Sequence, residues 1–277
     1  MTSNNLINLI GEPNRAARAA FPGKASVINF LEQLTDILFP VGNDRSDIDN
    51  ILVLNDLKKS LNELIDSFMP QRNFTTVRFT GKYFDSLPEI YNQLLLDANA
   101  ILEFDPAASS LEEVVLAYPG FHAITTYRLA HPLYVAGIPI LPRLMCEYAH
   151  RNTGIDINPG ARIGKSFFID HGTGVVIGET AVIGDNVKIY QGVTLGALNV
   201  KKEEALKKRH PTIEDNVIIY SGATILGGET VIGHDSVVGG NVWLTRSVAP
   251  HSIVCNKSEI RVKSASEKKS TAINFVI

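Results

Sequence analysis

The sequence predicts an α+β chain: an N-terminal α-helical domain over residues 1–152 and a parallel β-helix of hexapeptide repeats over 153–256, followed by a tail over 257–277. Three observations predict it. Fifteen of the 21 glycines fall in residues 151–255, while ten of the 13 prolines come before residue 151. Apolar residues before residue 152 recur at helical spacing. Beyond it a single aliphatic residue recurs at every sixth position, a period that would rotate around a helix axis and so cannot make a helical stripe.

The elements follow in order. Ser26 is positioned to cap a helix with Ile28, Leu31, Leu34 and Leu38 on one face. Leu54, Leu57, Leu61, Leu64, Ile65 and Phe68 form a second helical face. Ser86 and Glu89 bracket a capping box with Pro88 in its first turn, and Ile90, Leu94, Ala98 and Ile101 continue that helix. A second box, Ser110 with Glu113, starts a helix that should end near Tyr118, Pro119 and Gly120. Two more helices fit residues 121–136 and 140–152, and residues 43–49 and 70–80 read as connections.

The repeat then begins. Ile157, Ile163 and Ile169 are six apart; an eight-residue step leads to Ile177, Ile183, Ile189 and Leu195. The series resumes at Ile213, Ile219 and Ile225, and a seven-residue step leads to Ile232, Val238 and Leu244. A small residue or valine often stands two positions earlier, as at Ala161, Val175, Ala181, Val187, Val193, Ala223, Ser236 and Val242. Such a period suits a triangular prism: three hexapeptides to a coil, the aliphatic residue pointing inward, and each coil burying its neighbour. Residues 197–210 interrupt the series without shifting its phase, so they should loop outward, carrying Lys201, Lys202, Lys207, Lys208 and Arg209 against Glu203 and Glu204.

Composition excludes several classes. Hydrophobic residues make up 45% and charged residues 20% of the 277, which is ordinary for a globular protein. A formal net charge of −3 points to neither nucleic acid nor an anionic membrane as partner. Two cysteines, Cys146 and Cys255, make no disulfide framework and cannot by themselves ligate a structural zinc. The uncharged run 129–142 carries three prolines and is shorter than the ~20 residues that span a bilayer. The N-terminus lacks the basic start and apolar core of a signal peptide, so a soluble, cytoplasmic protein is expected.

Within the repeats the eight-residue step is the natural place for chemistry. It carries Asp170 and His171, and two extra residues there can turn an imidazole outward. Asp156 lies 15 residues earlier, close to one coil away, and a carboxylate beside an imidazole fixes its tautomer. From spacing alone this pairing competes with a surface histidine and a turn aspartate.

The motifs carry a family resemblance. Asp105 to Ala107, Gly120 to Ala123, Tyr127 and Arg128 with His131, Asp156 and Ile157, Ile169 to Gly174, Gly178 to Ile183, Val193 to Gly196, and Arg209 to Pro211 stand in one collinear series over about half the chain. The series resembles the serine O-acetyltransferases of the hexapeptide-repeat acyltransferase superfamily. That resemblance, and not the period, implies a left-handed winding. It implies transfer of acetyl from acetyl-CoA, the co-substrate, to the hydroxyl of L-serine, with no metal. It assigns His171 as general base and Asp156 as its orienting carboxylate. Asp105, Asp170, Arg209 and His210 become ligands of the amino acid, with Glu179 beside them. Gly196, Ala197, Ser221, Gly239 and Gly240 are the positions expected along the acetyl-CoA groove.

The same resemblance implies homotrimers with sites at subunit boundaries, often paired through the helical domains into hexamers, so either a homotrimer or a hexamer is expected. It further implies inhibition by L-cysteine at the serine site, and docking of the C-terminal Ile277 into O-acetylserine sulfhydrylase (cysteine synthase). The sequence departs from the family pattern at Asn158, where a histidine is common, in the long loop 197–208, and at the prism exit, residues 253–257. Three other readings compete: a hexapeptide acetyltransferase for a sugar or amine, an inactive docking protein for cysteine synthase, and a zinc carbonic anhydrase. The last would need three converging histidines, for which His171, His210 and His234 offer no compact spacing.

Overall fold

The computed structural model describes residues 22–42, 45–69, 75–198 and 207–257. Most of the 197–210 loop and all of the tail after residue 257, including Ile277, lie outside the described residues. Among the described residues six helices come first: α1 (Lys24–Leu38), α2 (Asp47–Phe68), α3 (Thr76–Phe104), α4 (Leu111–Ala117), α5 (Pro119–Val135) and α6 (Leu141–Thr153). Fourteen short strands follow among the described residues: β1 (Asp156–Ile157), β2 (Arg162–Ile163), β3 (Phe168–Ile169), β4 (Val176–Ile177), β5 (Val182–Ile183), β6 (Lys188–Ile189), β7 (Thr194–Gly196), β8 (Thr212–Ile213), β9 (Ile218–Ile219), β10 (Thr224–Leu226), β11 (Val231–Ile232), β12 (Val237–Val238), β13 (Trp243–Leu244) and β14 (Ile253–Val254). Among the described residues no helix is long and apolar enough to cross a membrane.

Several helix starts differ from the sequence reading. Gly23, not Ser26, occupies the N-cap of α1, and the buried face is Val27, Phe30, Leu31 and Leu34. α2 begins inside the expected connection because Ser46 and Asp49 form a capping box there. Its buried face is the expected one, Leu57, Leu61, Leu64, Ile65 and Phe68. α3 does not start at Ser86. It runs 29 residues from Thr76 straight through Pro88, because Tyr83, Phe84, Leu87 and Ile90 bury one continuous face across the proline. The Ser86 hydroxyl donates to the Tyr83 carbonyl instead of capping. The Ser110 box is half made: its hydroxyl accepts from the Glu113 amide, but the Glu113 carboxylate turns to the amide and hydroxyl of Ser109.

The prism follows the six-residue period. Every aliphatic position from Ile157 to Leu244 lies in one of the strands β1 to β13. The small residues and valines two positions earlier are buried. All pairings are parallel and build three faces: β1-β4-β7-β10-β13, β2-β5-β8-β11 and β3-β6-β9-β12-β14. β4 (Val176–Ile177), β7 (Thr194–Gly196), β10 (Thr224–Leu226) and β13 (Trp243–Leu244) stack on β1 as the first face. β7 and β8 (Thr212–Ile213) lie on successive faces, so the interruption is an insertion at one corner and not a missing coil. The repeat continues two steps beyond Leu244, with Val248 bridged to Ile232 on the second face and Val254 of β14 opposite Val238 on the third.

A buried ion pair joins the helices to the prism. Arg128 on α5 donates from Nε and Nη2 to the Asp97 carboxylate on α3 at 2.5 and 2.8 Å. The same guanidinium donates to the Gly164 carbonyl at 2.7 Å, and Asp97 accepts the Phe167 amide at 2.8 Å. Burial pushes the Asp97 carboxyl upward from its ordinary pKa, against the pull of Arg128 and that amide. The first coil is thus bolted to two helices through both members of the pair. Asp97→Ala should cost about 3–5 kcal/mol in urea unfolding, because it leaves a guanidinium buried without its partner. Replacing both residues with apolar ones of similar volume (Asp97→Leu with Arg128→Met) should recover most of that loss.

Candidate active site

The eight-residue step forms the first turn between the third face and the first. β3 (Phe168–Ile169) ends there, and the chain passes through His171, Gly172 and Gly174 at φ of 54°, 77° and 78° before β4. Left-handed backbone at a non-glycine residue costs about 1–2 kcal/mol, so His171 is held there by its surroundings. Those surroundings are tight. Gly120, at the start of α5, packs so closely that an added Cβ would collide with the Ile169 carbonyl oxygen. The His171 side chain is 70% exposed, and its Nδ1 lies 3.6 Å from the Asp170 carboxylate.

Asp105 is delivered to this turn by the end of α3. Its Oδ1 accepts the Ala107 amide at 2.8 Å and its Oδ2 accepts the Tyr118 hydroxyl at 2.7 Å. That hydrogen bond, with the charges of Asp105, Glu113 and Asp170 around it, pushes the Tyr118 phenol up to about 12. Burial raises the Tyr190 phenol too, and it feels the same two carboxylates, Asp170 and Asp105. Asp105, Asp170 and His171 therefore share one electrostatic neighbourhood. Two carboxylates there suit an ammonium, and an exposed imidazole can take a proton.

Asp156 sits in the adjoining coil, where Gly174 donates to the Gly154 carbonyl at 2.8 Å. Its carboxylate, however, gathers with Glu147 and His150 of α6, one oxygen or nitrogen from each lying within 4.8 Å of the others. Among the described residues no hydrogen bond or ion pair joins Asp156 to His171. Asn158 makes a turn, its Oδ1 accepting the Gly160 amide. Cys146 is buried in α6, and burial pushes its thiol pKa up, away from nucleophilic chemistry.

A second cluster occupies the other edge of the first face. Arg209 forms an ion pair with Glu179, and Tyr134 donates to Glu179 Oε1 at 2.6 Å. The Thr180 hydroxyl accepts the amides of Arg209 and His210, leaving its own proton for His210 Nδ1 at 2.9 Å. The Thr180 amide points to the same nitrogen at 3.0 Å. Nδ1 is therefore an acceptor, and the neutral ring carries its proton on Nε2. Burial, then the charges of Arg209 and Lys208, lower this imidazole to about 4 and keep it neutral. Gly178 makes room for the ring: a Cβ there would collide with His210 Cδ2.

The expected residues thus fall into two groups. Asp105, Asp170 and His171 stand where the third face meets the first; Glu179, Arg209 and His210 stand where the first meets the second. A six-residue edge keeps the groups on the order of 15 Å apart. The acetyl-CoA positions divide likewise, Ser221, Gly239 and Gly240 on the His171 edge and Gly196 and Ala197 on the Arg209 edge. His171, His210 and His234 occupy three different corners and do not converge within one chain. Sequence reasoning missed Tyr118, Thr180 and Tyr134. Tyr118 lay inside a segment read only as a helix end, Thr180 lay in the family-like stretch Gly178 to Ile183 but was given no role, and nothing local marked Tyr134.

Comparison with known proteins agrees with both the helical domain and the prism. Residues 49–126 match the family model described as serine acetyltransferase, N-terminal. A plasmid serine acetyltransferase of Synechococcus elongatus is 54% identical over 187 residues, 66% of this chain and 58% of that protein. The match thus spans little more than half the length of such curated relatives. The crystal structure of serine acetyltransferase isoform 3 from Entamoeba histolytica, in complex with cysteine, has a TM-score of 0.74 at 37% identity and covers 86% of this chain and 84% of its own. That of the Neisseria gonorrhoeae serine acetyltransferase in complex with serine has a TM-score of 0.59 at 27% identity, covering 86% and 96%. With helices leading into a left-handed parallel β-helix, and with these relatives, the chain belongs to the serine acetyltransferase family.

Proposed function

We propose that this chain transfers acetyl from acetyl-CoA to the hydroxyl of L-serine, giving O-acetyl-L-serine and CoA. The observation that carries the reading is the exposed imidazole of His171 beside Asp170, with Asp105 held by Tyr118, which feels both carboxylates, in a family with members solved in complex with serine or cysteine. An α-amino acid offers an ammonium to the two carboxylates. Its carboxylate suits Arg209 and the Nε2–H of His210. His171 accepts the hydroxyl proton while the oxygen attacks the thioester carbonyl. The tetrahedral adduct then collapses, the carbon–sulfur bond breaks, and the proton passes to the departing CoA sulfur. Asp156 steadies the imidazolium, which requires its carboxylate to turn from His150 toward His171.

The ligands stand on two edges of one face, so this reading includes a homotrimer in which the His171 edge of one protomer meets the Arg209 edge of the next. Pairing into hexamers, a cytoplasmic location and cysteine synthase as partner of Ile277 belong to the same proposal. So does an acetyl-CoA groove along Gly196, Ala197, Ser221, Gly239 and Gly240. L-cysteine, with the same ammonium and carboxylate, competes with serine for the site.

In a thiol-release assay His171→Ala should lower turnover by about 10²–10⁴-fold, the range for a general base. Asp156→Asn should cost less, and near-normal turnover in His171→Ala would remove the reading. Arg209→Ala should raise both the KM for serine and the inhibition constant for cysteine. Cysteine inhibition left unaltered by that change would put the inhibitory site elsewhere.

A further inference from the structure

The last two coils carry a cluster that the proposed acetyl transfer does not use. It lies where the second face meets the third, on the edge opposite the first face. The corner after β11 (Val231–Ile232) presents His234 and Asp235, and the corner before β14 presents His251 directly above them. The backbone holds the two levels in register: the His251 amide donates to the His234 carbonyl at 2.9 Å, and the Asp235 amide to the Asp215 carbonyl at 3.0 Å. Both imidazoles converge on one oxygen. His234 Nδ1 lies 2.6 Å and His251 Nδ1 3.7 Å from Asp235 Oδ2, and the rings stand edge to face, their centroids 4.8 Å apart.

From these residues we propose that His234, Asp235 and His251 form a site for a divalent transition-metal ion of the zinc type. Two imidazole nitrogens with one carboxylate oxygen form a borderline donor set, suited to Zn²⁺, Ni²⁺ or Cu²⁺ and not to Mg²⁺ or Ca²⁺. Ligand atoms around a tetrahedral ion at ~2.0–2.1 Å stand about 3.3 Å from one another. The two distances to Oδ2 bracket that spacing, and one ligand atom from each residue lies within 4.8 Å of those of the other two.

The surroundings favour a cation as well. Asp235 and His251 hold left-handed backbone at φ of 57°, which fixes the direction in which each side chain leaves its corner. Asn186, Asn216 and Asp235 form a ladder up this edge, with Asn216 Nδ2 donating to Asp235 Oδ1 at 3.0 Å. That bond engages Oδ1 and leaves Oδ2 for the ion, the kind of outer support that metal-binding carboxylates have. The His234 amide donates to Glu214 Oε2, and Glu214 and Asp215 add negative charge beside the ring. Water completes the coordination, since all three residues are exposed. Binding releases any proton held on the two Nδ1 atoms and leaves each ring protonated on Nε2. Because the ligands come from successive coils, the ion clamps the final coil onto the one beneath it.

The test uses full-length, untagged protein stripped with chelator and titrated calorimetrically with ZnCl₂. The site predicts saturable binding of one ion per chain and a rise in melting temperature on adding zinc. His251→Ala and Asp235→Asn should each weaken binding by about tenfold or more, since even outer-shell changes cost 10–100-fold. They should also abolish the thermal shift. Both positions are exposed, so the apo variants should melt close to the wild type. His150→Ala tests the Glu147, His150 and Asp156 group, and Cys255→Ser tests the exposed thiol. Loss of zinc binding in either of these, with binding intact in His251→Ala, would overturn the proposal, as would no saturable binding in the wild type.

Discussion

The buried pair between Asp97 and Arg128 is the constraint on which the arrangement rests. Through it α3, α5 and the first coil meet by way of charged groups that are all satisfied. Asp97 lies about two helical turns before Asp105. Fixing it against Phe167 therefore fixes where the end of α3 delivers Asp105 relative to Asp170. A buried pair is weak evidence for stability, since an apolar replacement is often as good. Its value here is positional: it sets the register between a helical layer and a prism that otherwise meet through non-directional apolar contacts.

The prism supplies the complementary rigidity. Corner residues such as Asn186, Asn216 and Asp235 donate their amides to carbonyls of the neighbouring coil, so side chains on different coils keep their spacing. Rigidity also separates them. A flat face cannot fold its two edges together, and the groups at those edges stay apart in one chain. Two relations within the edges are local and chemically specific. Thr180 sets the tautomer of His210, and Gly178 leaves the space that its ring fills. The Arg209 edge is thereby built to present donors: a guanidinium and a neutral imidazole N–H.

Much of this was legible in the sequence, for a physical reason. A six-residue period admits almost no other architecture, so the series from Ile157 to Leu244 marked one residue in every strand from β1 to β13. The helices were less legible. Pro88 after Ser86 looks like a helix start, yet burial of Tyr83, Phe84 and Leu87 carries α3 through it. Ser26 looks like a cap, yet the face that packs begins at Val27. Local propensity lost in both cases to tertiary burial. For the site, counting repeats by threes separates the His171 corner from the Arg209 corner, but no spacing rule could bring Asp105, which lies outside the repeat, to the first of them. Nor could it find Tyr118, whose partner Asp105 is 13 positions away, or Asp97, which meets Arg128 across 31. Asp156 shows the limit most clearly: its backbone lies where the period puts it, and its carboxylate faces α6.

The central claim is that one chain carries two half-sites, which only a neighbouring copy can unite. Mixed assembly tests it most directly. His171→Ala and Arg209→Ala proteins, assayed at serine far below the raised KM of the second so that each alone is nearly inactive, would be dissociated together in equal amounts and reassembled. If the His171 edge of one protomer works with the Arg209 edge of the next, a random mixture restores intact sites at about a quarter of the boundaries, and serine-dependent CoA release should return to about a quarter of the wild-type value. If each site lay within one chain, every site in the mixture would carry one lesion. Activity that stays at the level of the separate variants after verified mixed assembly would contradict the account.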